Sequence, residues 1–187
     1  MKKVPVSLKN KTILVTGSPG FIGANLVLRL LKEMNDGTII SFDSMSDYYN
    51  PELKKYRLSL IERVAAANTA TGSKVKHIFI KGNLADKALI EDIFAKYKPA
   101  IVVNLAAQAG VRYSIDHPDA YIESNIIGFY NLIEACRHSY DRGNTGVEHL
   151  VYASSSSVYG GNKKVPFNTE DKTDSPISLY AATKKKQ

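Results

Sequence analysis

Residues 12–23 read Thr12-Ile13-Leu14-Val15-Thr16-Gly17-Ser18-Pro19-Gly20-Phe21-Ile22-Gly23 and contain three glycines. Its first five residues form a short β-rich run, and from position 21 to position 33 apolar residues recur at helical spacing. Between the two, the glycines permit a tight turn and a close approach of the backbone to a phosphate group. A plain surface turn is the alternative for the glycines taken alone. The stretch as a whole predicts a strand, a glycine loop and a helix.

The rest of the chain continues this alternation of strands and helices. Apolar runs predict strands at 38–42, 77–80, 101–105 and 149–153, and helical patterns cover 53–64, 86–97, 119–140 and the residues from 179 onward. The runs are apolar throughout, which is typical of strands that a parallel sheet buries on both faces. We therefore expect one domain over residues 1–187, of the α/β class, with a doubly wound parallel sheet of the Rossmann-like kind.

An acidic residue, Asp43, closes the second predicted strand twenty residues past Gly23. In dinucleotide-binding folds, a carboxylate at this point holds ribose hydroxyls while the helix N-terminus holds the pyrophosphate. The strand, the glycine loop, the helix and Asp43 together predict a dinucleotide site. A carboxylate repels a 2′-phosphate, and no arginine follows within the next few residues, so NAD is favoured over NADP.

A candidate acid–base pair lies near the end of the chain, in Tyr180-Ala181-Ala182-Thr183-Lys184. Residues four apart lie on one face of a helix, and a neighbouring cation favours the phenolate form of a tyrosine. An exposed helical pair is the usual meaning of this spacing. Serines at 154–157 follow the fifth predicted strand, where ligands bind in open α/β sheets, although a serine-rich turn is the alternative. These features follow one another in the order glycine loop, Asp43, serines, and the pair of Tyr180 and Lys184. This order predicts proton transfer beside a bound dinucleotide.

The composition indicates a folded domain with scattered positive charge. Hydrophobic residues make up 44% and charged residues 23%, so the chain can build a core. The net charge is +7, but no dense basic run precedes Lys184, so we expect neither a nucleic-acid nor a membrane partner. Cys136, the single cysteine, is expected to be a buried structural thiol. A single cysteine fits a reducing compartment, and residues 1–5 contain no apolar signal region, so we expect a cytoplasmic location. We also expect no metal site.

Several motifs make the chain resemble the extended short-chain dehydrogenases/reductases that act on nucleotide sugars. They are residues 16–23, 104–108, 153–160 and 180–184, and the resemblance spans essentially the whole chain. Residues 47–54 and 106–114 resemble the UDP-glucuronate 4-epimerase subgroup, which interconverts UDP-glucuronate and UDP-galacturonate. The resemblance implies an NAD-dependent 4-epimerase that oxidises its UDP-sugar transiently, and a homodimer at full length.

The resemblance also implies a role for individual residues. The catalytic residues would be Tyr180 as the base, Lys184 and Ser155, with Ser156 and Ser157 as rivals of Ser155. The cofactor-binding residues would be Gly17, Gly20, Phe21, Ile22, Gly23, Asp43, Asn83, Leu84, Leu105, Ala106, Ala107, Asn125, Tyr180 and Lys184. The substrate-binding residues would be Ser155, Ser156, Ser157 and Arg112. For Arg112, a surface position or a pairing with Asp116 is the alternative.

The chain departs from the family pattern in two places. Gly82 is followed by Asn83, where the family usually has an aspartate that accepts from the adenine amino group. An amide oxygen also accepts, so we expect somewhat weaker adenine binding without loss of function. Relatives continue for roughly another domain length, so we expect the C-terminal substrate domain to be lacking from these 187 residues. A dehydratase, a decarboxylase and an inactive NAD-binding fragment stay open as alternatives.

Overall fold

A computed structural model describes residues 6–48, 50–141 and 146–186, in which strands and helices alternate as predicted. The strands are β1 (Thr12–Thr16), β2 (Asp36–Asp43), β3 (Lys74–Lys81), β4 (Ile101–Asn104) and β5 (His149–Tyr152). The helices are α1 (Phe21–Glu33), α2 (Pro51–Ala70), α3 (Lys87–Tyr97), α4 (Tyr113–Asp116), α5 (Pro118–Tyr121), α6 (Gly128–His138) and α7 (Leu179–Lys186). A π-helical turn spans Ile122–Ile127 and a 3₁₀ helix spans Ser156–Tyr159. Residues 1–5 and Tyr49, on which part of the sequence interpretation rests, lie outside the described residues.

The five strands form one parallel sheet in the order β3-β2-β1-β4-β5. From β1, the chain continues to β2 and β3 on one side and returns to β4 and β5 on the other. Between the carboxyl ends of β1 and β4 the strand order reverses, and such a switch point leaves a crevice in which ligands bind. The doubly wound parallel sheet expected from the sequence is confirmed.

Helices cover both faces of the sheet because alternate residues of each central strand point in opposite directions. Ile13 and Val15 pack with residues of α1 and α2. Leu14 packs on the other face with residues of α3 and α6. Cys136 on α6 belongs to this second cluster, and burial raises the pKa of its thiol to about 12. The cysteine is therefore a packing residue, as expected.

β5 is less buried than the sequence interpretation expected of a strand in this sheet. Val151 is 41% exposed and Tyr152 is 44% exposed. The physical reason is position, because β5 pairs with β4 and forms an edge of the described sheet. An apolar run predicts a strand, but it does not tell how many neighbours cover that strand.

The long helix predicted over 119–140 is a continuous run with an irregular centre. α5 leads into the π-helical turn, and this turn leads into α6. A π-helical turn holds more residues than an α-helical turn, so it shifts which side chains face each way. Neither this run nor any other described helix is long and apolar enough to cross a membrane.

Candidate cofactor and catalytic site

Glycines bring the loop between β1 and α1 into close contact with its surroundings. A Cβ atom on Gly17, whose φ is +70°, would lie 2.7 Å from the amide nitrogen of Ala106. A Cβ atom on Gly23 would lie 2.3 Å from the carbonyl oxygen of Gly17. The Gly20 N–H donates to that same carbonyl at 3.0 Å and closes the turn. Larger residues do not fit here, so the loop presents bare backbone at the start of α1.

The first turn of α1 borders a cavity of about 780 Å³ at the carboxyl ends of the strands. Gly20 caps the helix, and as a glycine it has no side chain that could accept from the first N–H groups. Phe21 and Ile22 are 73% and 64% exposed. The first N–H groups of a helix lack partners within the helix and lie at the positive end of its dipole, so this turn favours an anion such as a pyrophosphate.

Asp43, the predicted ribose ligand, has a lysine partner that the sequence interpretation missed. Asp43 is 6% exposed, and its Oδ1 accepts from the Met45 N–H at 2.6 Å and from Lys54 Nζ at 2.9 Å. Lys54 lies in the first turns of α2 and lines the same cavity. A cation therefore accompanies the carboxylate and offsets part of the charge that would repel a 2′-phosphate.

A second cation, Arg57, lies one turn further along α2. Its guanidinium carbon is 5.9 Å from the centre of the Phe21 ring, and both side chains line the cavity. Together, Lys54 and Arg57 give this end of the cavity positive charge that suits the phosphates of a dinucleotide. Neither was predicted, because this segment showed only a helical pattern. Basic residues spaced one helical turn apart after Asp43 were the available signal.

The loop after β3 forms the adjoining wall of the cavity. The Gly82 N–H donates to the carbonyl oxygen of Asp43 at 3.0 Å, which brings the loop that contains Asn83 next to the end of β2. The side-chain oxygen of Asn83 accepts from the Ala85 N–H at 3.0 Å. Its side-chain nitrogen donates to Oε1 of Glu123 at 2.7 Å. The oxygen expected to accept from adenine is thus turned to the backbone, and Glu123, a cavity residue, was not predicted.

The wall formed by the loop after β4 is mostly apolar and is held by a threonine from β1. The Thr16 hydroxyl donates to Oδ1 of Asn104 at 2.5 Å and accepts from the Ala106 N–H at 3.2 Å. Small and apolar side chains in this wall leave room for a flat, uncharged ring such as nicotinamide. The apolar cavity residues predicted from the sequence are Leu84, Leu105, Ala106 and Ala107, and all line the cavity.

Asn125 lies behind the cavity wall, and its placement does not support the predicted cofactor contact. It is fully buried, and its side chain accepts from the Gln108 N–H at 2.8 Å and donates to the Gln108 carbonyl at 2.9 Å. It also donates to the Thr183 hydroxyl at 3.0 Å. Ser124 lines the cavity instead. Asn125 therefore links the loop after β4 to α7, where its partner Thr183 directly precedes Lys184.

Tyr180 and Lys184 lie on α7, against the end of β5. Lys184 is 5% exposed, and its Nζ donates to the Ala153 carbonyl at 3.0 Å. Burial lowers the pKa of Lys184 to about 8, so it is still mostly a cation at pH 7. Ala153 also lines the cavity, so the ammonium group lies at the boundary between the cavity and α7.

Tyr121 supports the ring of Tyr180. The two ring centres are 6.0 Å apart with an interplanar angle of 77°, an edge-to-face contact. Tyr121 is fully buried, and its hydroxyl donates to the carbonyls of Ala109 and Gly110 at 2.7 and 2.6 Å. Burial and the neighbouring Tyr48 raise the pKa of Tyr121 to about 12, so it stays neutral. One buried ring therefore holds both Tyr180 and the loop after β4, a role that the helical pattern did not reveal.

The serine run begins the 3₁₀ helix, which packs against α7. Oγ of Ser155 accepts from the Ser157 N–H at 3.2 Å and caps the 3₁₀ helix. Ser155 and Ser157 are half-buried, whereas Ser156 is exposed. Because its hydroxyl is held in one orientation, Ser155 is better placed than Ser156 for a fixed hydrogen bond to a ligand.

Arg112 lies outside the cavity wall. It is exposed and directly precedes α4. The next residue, Tyr113, lines the cavity and stacks on His117 with ring centres 4.1 Å apart. The structure therefore brings Arg112 to the rim of the site, and its contact with substrate stays a prediction.

Comparisons with known proteins agree with this architecture. The sequence profile of the family described as GDP-mannose 4,6 dehydratase matches residues 14–187. Protein CapI of Staphylococcus aureus is 46% identical over 173 residues, which are 92% of this chain and 46% of CapI. UDP-glucuronate 4-epimerase 3 of Arabidopsis thaliana is 43% identical over 174 residues, which are 93% of this chain and 36% of that protein. The chain thus spans less than half the length of these curated relatives.

A solved structure supports the fold. UDP-glucose 4-epimerase of Bifidobacterium longum, in complex with NAD⁺ and UDP, has a TM-score of 0.69 to this chain and is 29% identical. The match covers 92% of this chain and 45% of the epimerase. With a profile match over nearly the whole chain, the resemblance inferred from the sequence is confirmed. This chain belongs to the extended short-chain dehydrogenase/reductase family of nucleotide-sugar epimerases and dehydratases.

Proposed function

We propose that the full-length protein is an NAD-dependent 4-epimerase that interconverts UDP-glucuronate and UDP-galacturonate, and that this chain carries its cofactor site and catalytic residues. One observation carries the proposal. Lys184, four residues after Tyr180, donates to the Ala153 carbonyl at 3.0 Å, and Ala153 lines the cavity that also contains the glycine loop and Asp43. A buried cation on the same helix as Tyr180 therefore reaches a carbonyl at the wall of this cavity.

The residues of the cradle fit NAD. The loop has no room for a Cβ atom at Gly17 or Gly23, as expected where backbone N–H groups approach a pyrophosphate. The pair of Asp43 and Lys54 would hold the adenosine ribose, and Arg57 would add charge for the phosphates. When bound, NAD supplies a hydride acceptor that takes hydrogen from the sugar C4 and returns it to the opposite face, so that no cofactor is consumed.

Residues of this chain would accept and return the proton of the sugar 4-hydroxyl. Tyr180, as phenolate, would take the proton of the sugar 4-hydroxyl, and the cation of Lys184 would stabilise that phenolate. Lys184 would also hold the nicotinamide ribose. Ser155, fixed by its bond to the Ser157 N–H, would hydrogen-bond to the sugar oxygen at C4. Tyr121 would keep the Tyr180 ring in place through its edge-to-face contact.

The substrate assignment rests on the relatives and on the serines. UDP-glucuronate 4-epimerases are among the proteins that match 93% of this chain. Removal of water by a dehydratase requires an acid and a base, and resembling dehydratases carry Asp and Glu where this chain has Ser156 and Ser157. Hydroxyl groups do not supply that pair, which favours epimerisation. Arg112, at the rim, would pair with the uronate carboxylate or with the diphosphate.

The test is product analysis with the full-length protein. Incubated with UDP-glucuronate and followed by proton NMR, it should form UDP-galacturonate while absorbance at ~340 nm shows no accumulating NADH. A 4-keto-6-deoxy sugar would identify a dehydratase, and carbon dioxide with a UDP-pentose would identify a decarboxylase. Either product would contradict the proposed reaction.

The 187-residue chain has its own test. Calorimetry should show that it binds NAD, whereas turnover by this chain alone is not expected. Binding of NAD without later binding of UDP-glucuronate would identify a cofactor-binding module, the alternative from a different functional class. We also propose that the full-length protein is a cytoplasmic homodimer, and sedimentation at micromolar concentration would test its mass.

A further inference from the structure

We infer that Glu123 is the residue that recognises the adenine amino group of the dinucleotide, with Asn83 as its positioning partner. The inference rests on the proposed function, since it concerns the cofactor of that site. Its basis is the hydrogen bond from the Asn83 side-chain nitrogen to Oε1 of Glu123 at 2.7 Å. Both side chains line the cavity that contains Asp43.

The base of the dinucleotide belongs at this end of the cavity. A ribose held by Asp43 carries its base directly attached, and the Gly82 N–H bond to the Asp43 carbonyl brings the loop after β3 to the same place. The cavity lining includes Leu84, which is buried and apolar, and Ala120. An apolar wall with one anionic group at its edge suits a flat, neutral base that carries an N–H donor.

The hydrogen bonds of Asn83 decide which group accepts from that donor. Its side-chain oxygen is oriented toward the Ala85 N–H at 3.0 Å, so its amide nitrogen necessarily faces the other way, toward Glu123. Asn83 therefore presents donors at the rim, where adenine also presents a donor. The acceptor at this point is the carboxylate of Glu123, which has lone pairs for about four hydrogen bonds and gives one to Asn83.

The π-helical turn explains how Glu123 reaches the cavity. Ala120, Glu123 and Ser124 line the cavity, while Tyr121 and Asn125 are fully buried on the other side of the same run. The Gly128 N–H donates back to the Glu123 carbonyl, so the backbone of Glu123 is held by the wide turn. The hydrogen bond from Asn83 then holds the carboxylate of Glu123 in place.

The experiment compares NAD with nicotinamide hypoxanthine dinucleotide, in which a carbonyl oxygen replaces the adenine amino group. By calorimetry, the unmodified chain should bind NAD about five- to tenfold more tightly than the hypoxanthine analogue, as a charge-assisted hydrogen bond near the surface provides. Glu123→Ala should reduce this ratio to less than about twofold by weakening NAD binding alone. Glu123 is exposed, so its replacement leaves the core intact.

Two further variants make the test specific. The double variant Asn83→Asp with Glu123→Ala moves the carboxylate to the other side of the pair and should restore most of the preference for NAD. Glu91→Ala removes an equal charge from the exposed face of α3, where Glu91 pairs with Lys87 at 3.7 Å, and should leave the ratio unchanged.

The outcomes separate this inference from the proposed function. Equal binding of both dinucleotides by the unmodified chain, or a preference that persists in Glu123→Ala, overturns the role of Glu123 and leaves the NAD site standing. If the unmodified chain binds neither dinucleotide, the proposed function fails as well.

Discussion

Replacing Lys184 by methionine is expected to stabilise the chain while abolishing turnover of the full-length enzyme. Lys184 is 5% exposed, and burial lowers its pKa from 10.5 to about 8. Each pKa unit corresponds to about 1.36 kcal/mol, so burying this cation costs up to roughly 3 kcal/mol. The replacement also removes the bond to the Ala153 carbonyl, which contributes about 1 kcal/mol. The expected net gain in the free energy of unfolding is about 2 kcal/mol at pH 7.

The stability difference between Lys184→Met and the parent should decrease as the pH rises. Below pH 8, Lys184 is charged in both the folded and the unfolded chain, so the cost of burying the cation is fully present. Between pH 8 and pH 10.5, the folded chain releases the proton first and the cost declines. The advantage of Lys184→Met should therefore be largest at neutral pH and vanish toward pH 10.5.

The assay is urea unfolding without nucleotide at about pH 7 and about pH 10. Lys185→Met, a replacement of the exposed neighbouring lysine, serves as the charge-matched control and should change stability by less than about 0.5 kcal/mol. Lower stability of Lys184→Met than of the parent at neutral pH, or the same difference at both pH values, would show that burial of the Lys184 cation is not costly.

Four other replacements test separate parts of the site. Gly23→Ala should cost about 1–3 kcal/mol of stability and abolish NAD binding, because its Cβ would meet backbone at 2.3 Å. The control Gly161→Ala, whose Cβ would have nothing within 4 Å, should do neither in thermal melts and calorimetry. Equal melting temperatures of the two variants would contradict this expectation. Asp43→Ala should weaken NAD binding by roughly 1–3 kcal/mol by calorimetry, and unchanged affinity would move the ribose contact elsewhere. Tyr180→Phe should abolish turnover and spare NAD binding, and activity within about tenfold of the parent would remove Tyr180 as the base. Arg112→Leu should raise KM for UDP-glucuronate far more than for UDP-glucose, whereas an equal rise would indicate a diphosphate contact and no change a structural arginine.

Features encoded over a short stretch of sequence were predictable. The run from β1 through the glycine loop to α1 was predicted with its bounds, because strand, turn and helix preferences are local properties of those residues. The spacing of Tyr180 and Lys184 likewise predicted a shared helix, since one helical turn relates them. The approach of Lys54 to Asp43 was missed because it depends on how α2 packs, a tertiary property with no local signal.

The orientation of the long helix could not be predicted for a different reason. A helical pattern assumes about 3.6 residues in each turn, and the π-helical turn at Ile122–Ile127 breaks that count. Ser124 consequently lines the cavity while Asn125 is buried behind it. The apolar pattern also could not predict the exposure of β5. Whether a strand lies at the edge or in the centre of a sheet depends on the order of the strands.

We propose a mechanism in which hydride leaves the sugar C4 and returns to the same carbon while Tyr180 takes up and returns the proton. The most direct measurement is the fate of deuterium placed at C4 of UDP-glucuronate, followed by mass spectrometry and NMR during turnover by the full-length protein. This mechanism predicts UDP-galacturonate that retains the deuterium at C4, with no net formation of NADH. Loss of the label to water, or NADH that accumulates with product, would contradict it.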